Sequence, residues 1–367
     1  MFKEIKSLIE INWIYIFLLL IIFWIGEINL YSAANGSLDP WAMNQLKRFI
    51  IFLPIFFFII MLQPKFIFNI ADILLFLVAI GLILTLFFGY TGMGAKRWIR
   101  VAGFNFQTSE FAKIALILFM AKYFHKLNAE KTIGFIKALI PLIISFIFFL
   151  LVAIQPDLGT AVIILILGLI SIFYAGINLI YPIISLVGVA LASPFLWTLL
   201  KPYQQNRIKI FLNPDLDPLG KGYHIIQSKI AIGSGGKNGN GFLGGSQSSL
   251  DFLPEKETDF VFAIFSEQFG FTGSMIVIAL FLILFLIPII KSFKLTQVFN
   301  KLMLFVLSFK IFFEFLINIS MTIGLVPVVG VALPFMSYGG SSLLSNLIIC
   351  ALLLNFMSIT EKKRMFS

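Results

Sequence analysis

The sequence predicts an all-α, polytopic integral membrane protein of about ten transmembrane helices. A large extracytoplasmic loop separates the seventh from the eighth. Three observations predict this class. Hydrophobic residues make up 60% of the 367 residues and charged residues 12%. Mean hydropathy is +1.02, a balance that no water-soluble domain of this length carries. The apolar residues fall in runs near the about 20 residues that a helix needs to cross a bilayer. One long stretch, Arg207 to Gly273, breaks the pattern with Lys, Arg, Asp, His, Gln and Gly.

The apolar runs are 11–30, 46–62, 66–88, 109–124, 135–154, 159–177, 179–200, 260–290, 302–323 and 341–358. The first mimics a signal peptide, because Ser32, Ala33 and Ala34 look like a cleavage site. Its apolar core is too long for a signal segment, so it reads as a retained anchor. The chain 1–367 is expected to form a single transmembrane domain, with the large loop at 201–258. Lys and Arg in the short loops set the orientation. Counting Lys3, Lys6, Lys65, Lys122, Lys126, Lys131, Lys137, Lys291, Lys294, Lys301, Lys362, Lys363 and Arg364 as inner places both termini in the cytoplasm. The outer side is nevertheless basic, with Lys47, Arg48, Lys96, Arg97, Arg100 and Lys113 in short loops and their flanks. The large loop adds Lys201, Arg207, Lys209, Lys221, Lys229, Lys237 and Lys256. The net charge of +10 suits anionic lipid or an anionic substrate. It does not point to nucleic acid, because the basic residues do not alternate with exposed aromatics. The single Cys, Cys350, excludes a disulfide framework, and His125 and His224 are too far apart in sequence to suggest a His metal cluster.

Taken in order, Trp41, Lys47 and Arg48 lead into the second run and can snorkel to the interface. The segment Gly92 to Arg100 carries three cations, Trp98 and small residues that let backbone approach a ligand. Glu110 and Lys113, three apart, share a helix face at the start of the fourth run. An ionisable pair at that depth is either functional or a structural link between spans. Pro156 and Gly159 bend the chain around Asp157, which either caps the next helix or orients a cation of a site. Lys310 and Glu314, four apart, read as a structural pair. The segment from Gly324 to Ser342 is apolar and rich in Gly and Pro, as befits backbone that lines a cavity.

GAKRWI, QTSEFAK, QPDLGTA, RIKIFLNPDLDPLGKGYHIIQSKIAIGSGG, GGSQSSLDFLPEKETDF and GLVPVVGVALPFMSYGGSS together resemble the signatures of the shape, elongation, division and sporulation family. The resemblance runs through nearly the whole chain. GYHIIQSKIAIGSGG is closer to the elongation members than to the division members. The family implies a peptidoglycan glycosyltransferase of the bacterial cytoplasmic membrane. It extends a nascent glycan strand from lipid II beside a class B penicillin-binding protein and the elongation machinery. The resemblance assigns catalysis to Asp259 in the motif Thr258-Asp259-Phe260. Substrate contacts are expected from Lys96, Arg97, Trp98, Glu110, Lys113, Asp157, Arg207, Gln227, Lys229, Ser337 and Tyr338. The sequence departs from the family pattern at four positions. Thr108 and Ala332 stand for Pro, Asn240 for Lys, and Glu257 for His. Glu257 is expected to raise the pKa of Asp259 if the two approach. Asn240 puts in question a phosphate-holding role for its loop.

The residues also argue the chemistry directly. Making a sugar–sugar bond from a lipid diphosphate donor needs a base for the attacking hydroxyl and cations for the departing diphosphate. Asp259 lies between a polar loop and an apolar helix, where burial raises basicity while the helix N-terminus and Lys256 favour the anion. Thr258 could cap that helix equally well. Lys96, Arg97, Lys113 and Arg207 are the diphosphate partners on this reading. The Phe-rich helices, with 44 Phe in the chain, can form a groove for a polyprenyl tail. No cofactor is assigned, and a divalent cation, Mg²⁺ or Mn²⁺, is a candidate companion of the diphosphate. Two other readings remain open at this point: a flippase for the same lipid, and a non-enzymatic scaffold for cell-wall proteins.

Overall fold

The computed structural model describes residues 11–92, 95–101, 104–127, 133–178, 180–199, 202–218, 220–250 and 252–359. Every apolar run becomes a helix. They are α1 (Trp13–Ala33), α2 (Ala42–Met61), α3 (Pro64–Phe88), α4 (Thr108–Lys126), α5 (Phe135–Ile154), α6 (Leu158–Tyr174) and α7 (Ile180–Leu199), followed after the large loop by α11 (Val261–Phe293), α12 (Val298–Thr322) and α13 (Gly340–Met357). Seven of them, namely α1, α2, α3, α5, α11, α12 and α13, are long and apolar enough to cross a membrane. The charged α4, the shorter α6 and α7 make up the remaining three of the ten.

Two features depart from a purely helical protein with one structureless loop. First, the segment after α3 is an antiparallel meander of β1 (Tyr90–Gly92), β2 (Ala95–Val101) and β3 (Phe104–Gln107). Trp98 pairs with Tyr90 on one side and Gln107 on the other. Second, the large loop is itself helical, with α8 (Pro202–Leu212), α9 (Lys221–Ser234) and the short α10 (Ser246–Ser249).

The core lies where α4, α12 and α13 meet. α13 is apolar nearly all round and buried along its length, as a central helix should be. At its C-terminal end, the Asn355 amide donates to the carbonyls of Ile59, Ile60 and Leu62 at the exit of α2. The last carbonyls of a helix lack the full set of helical donors; here only the Ile59 carbonyl also accepts from Leu62 N–H, at 3.2 Å. Near the start of α1, the Tyr15 hydroxyl meets Cys350 Sγ at 3.6 Å. The start of α1, the end of α2 and the end of α13 therefore share one face. The β-meander and the helices of the large loop occupy the other. α3 and α5 face outward, exposing Phe76, Phe87, Ile136 and Ile154.

α11 is broken at Gly270, whose φ of 63° and ψ of −164° are not helical. The break frees backbone groups, and the glycine-rich segment after α9 takes them up. Asn240 N–H donates to Glu267 O and Gly241 N–H to Gln268 O, both at 3.0 Å. Phe271 N–H donates to Gly236 O at 2.9 Å and Thr272 N–H to Lys237 O at 3.0 Å. Asn240 thus acts here through its backbone, which explains why a Lys is dispensable for this contact.

Gly239 sits within that segment at φ +82°, where an added Cβ would run into the Gln268 carbonyl oxygen. Gly236 also has a positive φ, +51°, but open space around it. Gly239→Ala should therefore destabilise the detergent-solubilised protein by more than Gly236→Ala, which carries only the left-handed cost of about 1–2 kcal/mol. Thermal melts of the two variants side by side check this. Equal melting temperatures would mean that the clamp on the α11 break is not rigid.

Candidate active site

A cavity of about 300 Å³ opens between the β-meander, the large loop and the bundle. Asp259 stands on its wall with Arg97 from β2, Arg207 from α8 and His224 from α9. The turn before α11 builds the Asp259 position. The Glu255 carbonyl accepts from Thr258 N–H at 3.1 Å, from Phe260 N–H at 3.3 Å and from the Thr258 hydroxyl at 3.3 Å. This folds residue 255 back toward residue 259. Glu255 adopts a φ of +53°, a left-handed conformation that costs a non-glycine residue of order 1–3 kcal/mol.

The turn is tied to the bundle on several sides. The Asn318 amide of α12 donates to the carbonyls of Asp259 at 3.0 Å and Val331 at 2.8 Å. The Ser337 hydroxyl donates to the Thr258 carbonyl at 2.6 Å, and Tyr338 N–H to the Glu257 carbonyl at 2.8 Å. Phe260 is buried beneath and stacks on the His224 ring, with centroids 6.0 Å apart and planes 7° from parallel. Phe260, not Thr258 or Asp259, is the N-cap of α11, and no side chain caps that helix. The expected capping role of this motif is therefore absent.

Burial pushes the Asp259 carboxyl up to about 7, with the Glu255 carboxyl adding to the rise while Arg97 and Arg207 pull it down. The neighbouring carboxylate is Glu255, which also lines the cavity, and not the expected Glu257. Lys256 likewise turns away, with its ammonium 5.9 Å from the centre of the Trp41 ring. A chain reversal separates neighbours in sequence and joins residues four apart. The signal that could have pointed to Glu255 is the Pro254 before it, because proline favours turns.

The cations are positioned by buried carboxylates. Asp157 realises both of its sequence readings. One oxygen accepts the Thr160 amide at 3.4 Å, capping α6, and lies 3.6 Å from an Arg97 Nη. The other oxygen accepts the Gln107 amide at 2.8 Å. Arg97 Nε and Arg207 Nε are nevertheless buried without a hydrogen-bond partner among the described residues. Buried donors are nearly always paired, so two such atoms beside one cavity mark a place for an anion. Arg48 lies over the Tyr338 ring at 4.7 Å and supports it at the cavity edge.

The floor carries a web of charge. Lys113 bridges Glu110 at 2.7 Å and Glu314 at 2.5 Å, and Lys310 reaches Glu314 at 2.8 Å and the side-chain Oδ1 of Asn346 at 2.7 Å. The two helical pairs read from sequence are thus one cluster, and Glu314 joins Glu110 and Lys113 on the lining.

Of the expected contacts, Arg97, Trp98, Glu110, Lys113, Arg207 and Tyr338 line the cavity with Asp259. Asp157 and Ser337 stand one layer behind as supports. Three lie apart from the lining. Lys96 projects from the face of β2 opposite Arg97 and donates to the Phe87 carbonyl at 2.7 Å. Alternation along a strand sends neighbours to opposite faces. Gln227 and Lys229 sit further along α9 than His224, and Lys229 packs against Gly324. His224 and Glu255 line the cavity without having been singled out as contacts, and Glu314, read from sequence as half of a structural pair, lines it too.

The model of the FtsW, RodA and SpoVE family of cell cycle proteins matches residues 7–362. Peptidoglycan glycosyltransferase MrdB of Escherichia coli strain K12 is 42% identical over 258 residues, covering 70% of this chain and 69% of its own. Peptidoglycan glycosyltransferase RodA of Treponema pallidum is 35% identical over 347 residues, covering 75% and 79%. A chain of a peptidoglycan synthase complex that coordinates polymerization and crosslinking superposes with a TM-score of 0.82 at 30% identity, over 95% of this chain and 97% of that one. The crystal structure of RodA from Thermus thermophilus shares the fold, with a TM-score of 0.71 at 24% identity over 95% and 96%. With a fold and a matched span in common with these proteins, the chain belongs to the FtsW, RodA and SpoVE family.

Proposed function

We propose that this chain is a peptidoglycan glycosyltransferase, similar to RodA and MrdB, whose cavity polymerises lipid II with Asp259 as general base. The observation that carries the reading is the meeting of a basic carboxylate and two unpaired guanidinium Nε atoms in one cavity. A sugar hydroxyl of one glycan attacks the anomeric carbon of the other, and its proton goes to Asp259. The bond from that carbon to the diphosphate oxygen breaks as the new glycosidic bond forms. Negative charge grows on the leaving diphosphate, where Arg97 and Arg207 hold it. One base and no enzyme nucleophile correspond to inversion at the anomeric carbon. Trp98 and Tyr338 supply flat faces against which sugar rings can pack.

Among the described residues no three His, Cys, Asp or Glu side chains gather as metal ligands would. That donor set fits a divalent cation carried in on the substrate phosphates better than one held by the protein alone. On this reading the enzyme extends strands during cell elongation, beside a crosslinking class B penicillin-binding protein. The relative in the peptidoglycan synthase complex supports such a pairing. The chain is a multi-pass membrane protein. We place it in the bacterial cytoplasmic membrane with both termini inside and the face bearing the cavity outside.

Reconstituted protein supplied with labelled lipid II should build glycan ladders. Asp259→Asn should remain folded and slow polymerisation by about 10²–10⁴-fold, the usual worth of a positioned base. Because the base must be unprotonated, activity should rise with pH through about 7 and be lost as pH falls. Normal ladders from Asp259→Asn would remove Asp259 as the base. Headgroup translocation without polymer would instead identify a flippase.

Cys350, the single cysteine of the chain, is buried, so an introduced cysteine reports alone. Asn238→Cys lies in the exposed segment after α9. It should react with an impermeant maleimide in intact spheroplasts. Reaction only after permeabilisation would reverse the orientation and with it the site of synthesis.

A further inference from the structure

The β-meander that carries Arg97 is small, and β3 is an edge strand of it. An edge strand presents a row of unpaired backbone groups. On β3 a side chain takes up two of them. The Ser341 hydroxyl, in the first turn of α13, accepts Gln107 N–H at 3.0 Å and donates to the Asn105 carbonyl at 2.8 Å. These two groups flank Phe106, and the backbone of a residue on a parallel strand would bond the same pair. The hydroxyl therefore stands in for a fourth strand. Ser341 is buried and lines the cavity. No side chain caps α13, and this first-turn hydroxyl is directed to β3 instead.

The bond to Gln107 leads on to the arginine by two routes. Along the ladder, Gln107 pairs with Trp98, the neighbour of Arg97. Through its side chain, Gln107 donates to one Asp157 oxygen at 2.8 Å, and the other oxygen lies 3.6 Å from an Arg97 Nη. Asp157 is itself held at the start of α6 by the Thr160 amide. Gln107 thus receives Ser341 on its backbone and reaches Arg97 through both strand and amide. We propose that Ser341 is a positioning residue for Arg97: its hydroxyl fixes the edge of the meander, and with it the place where the guanidinium meets a diphosphate. This rests on the reading of Arg97 as a diphosphate partner. Without the hydroxyl, Gln107 N–H and the Asn105 carbonyl lose their bonds to the bundle. The strand edge is then free to shift, and the arginine shifts with it.

Inorganic diphosphate is the probe, and its binding to the detergent-solubilised full chain is read by calorimetry. Arg97→Ala should weaken binding. Ser341→Ala should weaken it by about 2–10-fold, the usual net worth of a hydrogen bond. Ser341→Thr keeps the hydroxyl and should restore the parent affinity. The double variant of Ser341→Ala with Arg97→Ala should bind no worse than Arg97→Ala alone, because nothing is left to position. Ser171→Ala removes a buried hydroxyl that donates within its own helix, to the Leu167 carbonyl at 2.7 Å, and should keep the parent affinity. If Ser341→Ala does not fold, Gln107→Ala breaks the same relay and replaces it in the cycle. Parent affinity in Ser341→Ala, or losses that simply add in the double variant, would overturn the role of Ser341. Parent affinity in Arg97→Ala would overturn the diphosphate site itself. A coupled loss in a chain that builds no glycan would uphold Ser341 and count against the polymerase alone.

Discussion

Two lysines and two glutamates are buried side by side between α4 and α12, and the rest of the cavity depends on them. Lys113 and Lys310 are almost wholly enclosed, and each carries a charge that could not be left alone in an apolar bundle. Glu110 and Glu314 balance them one for one. Removing one partner from such a group typically costs about 3–5 kcal/mol, because the other charge is stranded. The web therefore fixes the angle between α4 and α12. α4 begins directly beneath β3, and α12 carries Asn318. One locked helix pair thus sets both the meander that bears Arg97 and the turn that bears Asp259.

A second layer of constraint is backbone satisfaction. The segment 324–339 and the turn before α11 are irregular, and their carbonyls would be costly in a membrane without partners. Asn318, Ser337, Gln45 and Tyr338 provide these. Gln45 reaches from α2, donating to the Ser337 carbonyl at 2.9 Å and accepting from Gly339 N–H at 3.3 Å. Single polar residues inside otherwise apolar helices are thus the joints of the active face.

What the sequence makes legible follows from how local each signal is. Hydropathy is a property of consecutive residues, and the ten apolar runs coincide with ten helices. The charges within α4 and α12 were visible as i,i+3 and i,i+4 pairs, but nothing in either helix says that the pairs meet. The β-meander escaped because its strands are only three, seven and four residues long, too short for alternation to register. That omission placed Lys96 and Arg97 together, although a strand separates them. The large loop read as loop because α8 and α9 are polar, and Gln227 and Lys229 were grouped with Arg207 by sequence rather than by helix face. Glu255 was passed over for Glu257 because proximity along a chain fails wherever the chain reverses.

Asn318 has a consequence for how the cavity can admit its cargo. One amide holds the Asp259 carbonyl and the Val331 carbonyl at once, so two walls behave as a single rigid jaw. Arg97 is held as well, because Ser341 of α13 accepts Gln107 N–H at 3.0 Å and donates to the Asn105 carbonyl at 2.8 Å, pinning the meander to the bundle. The carboxylate and one of the arginines therefore stand at a fixed separation, and the space between them is shaped before any cargo arrives.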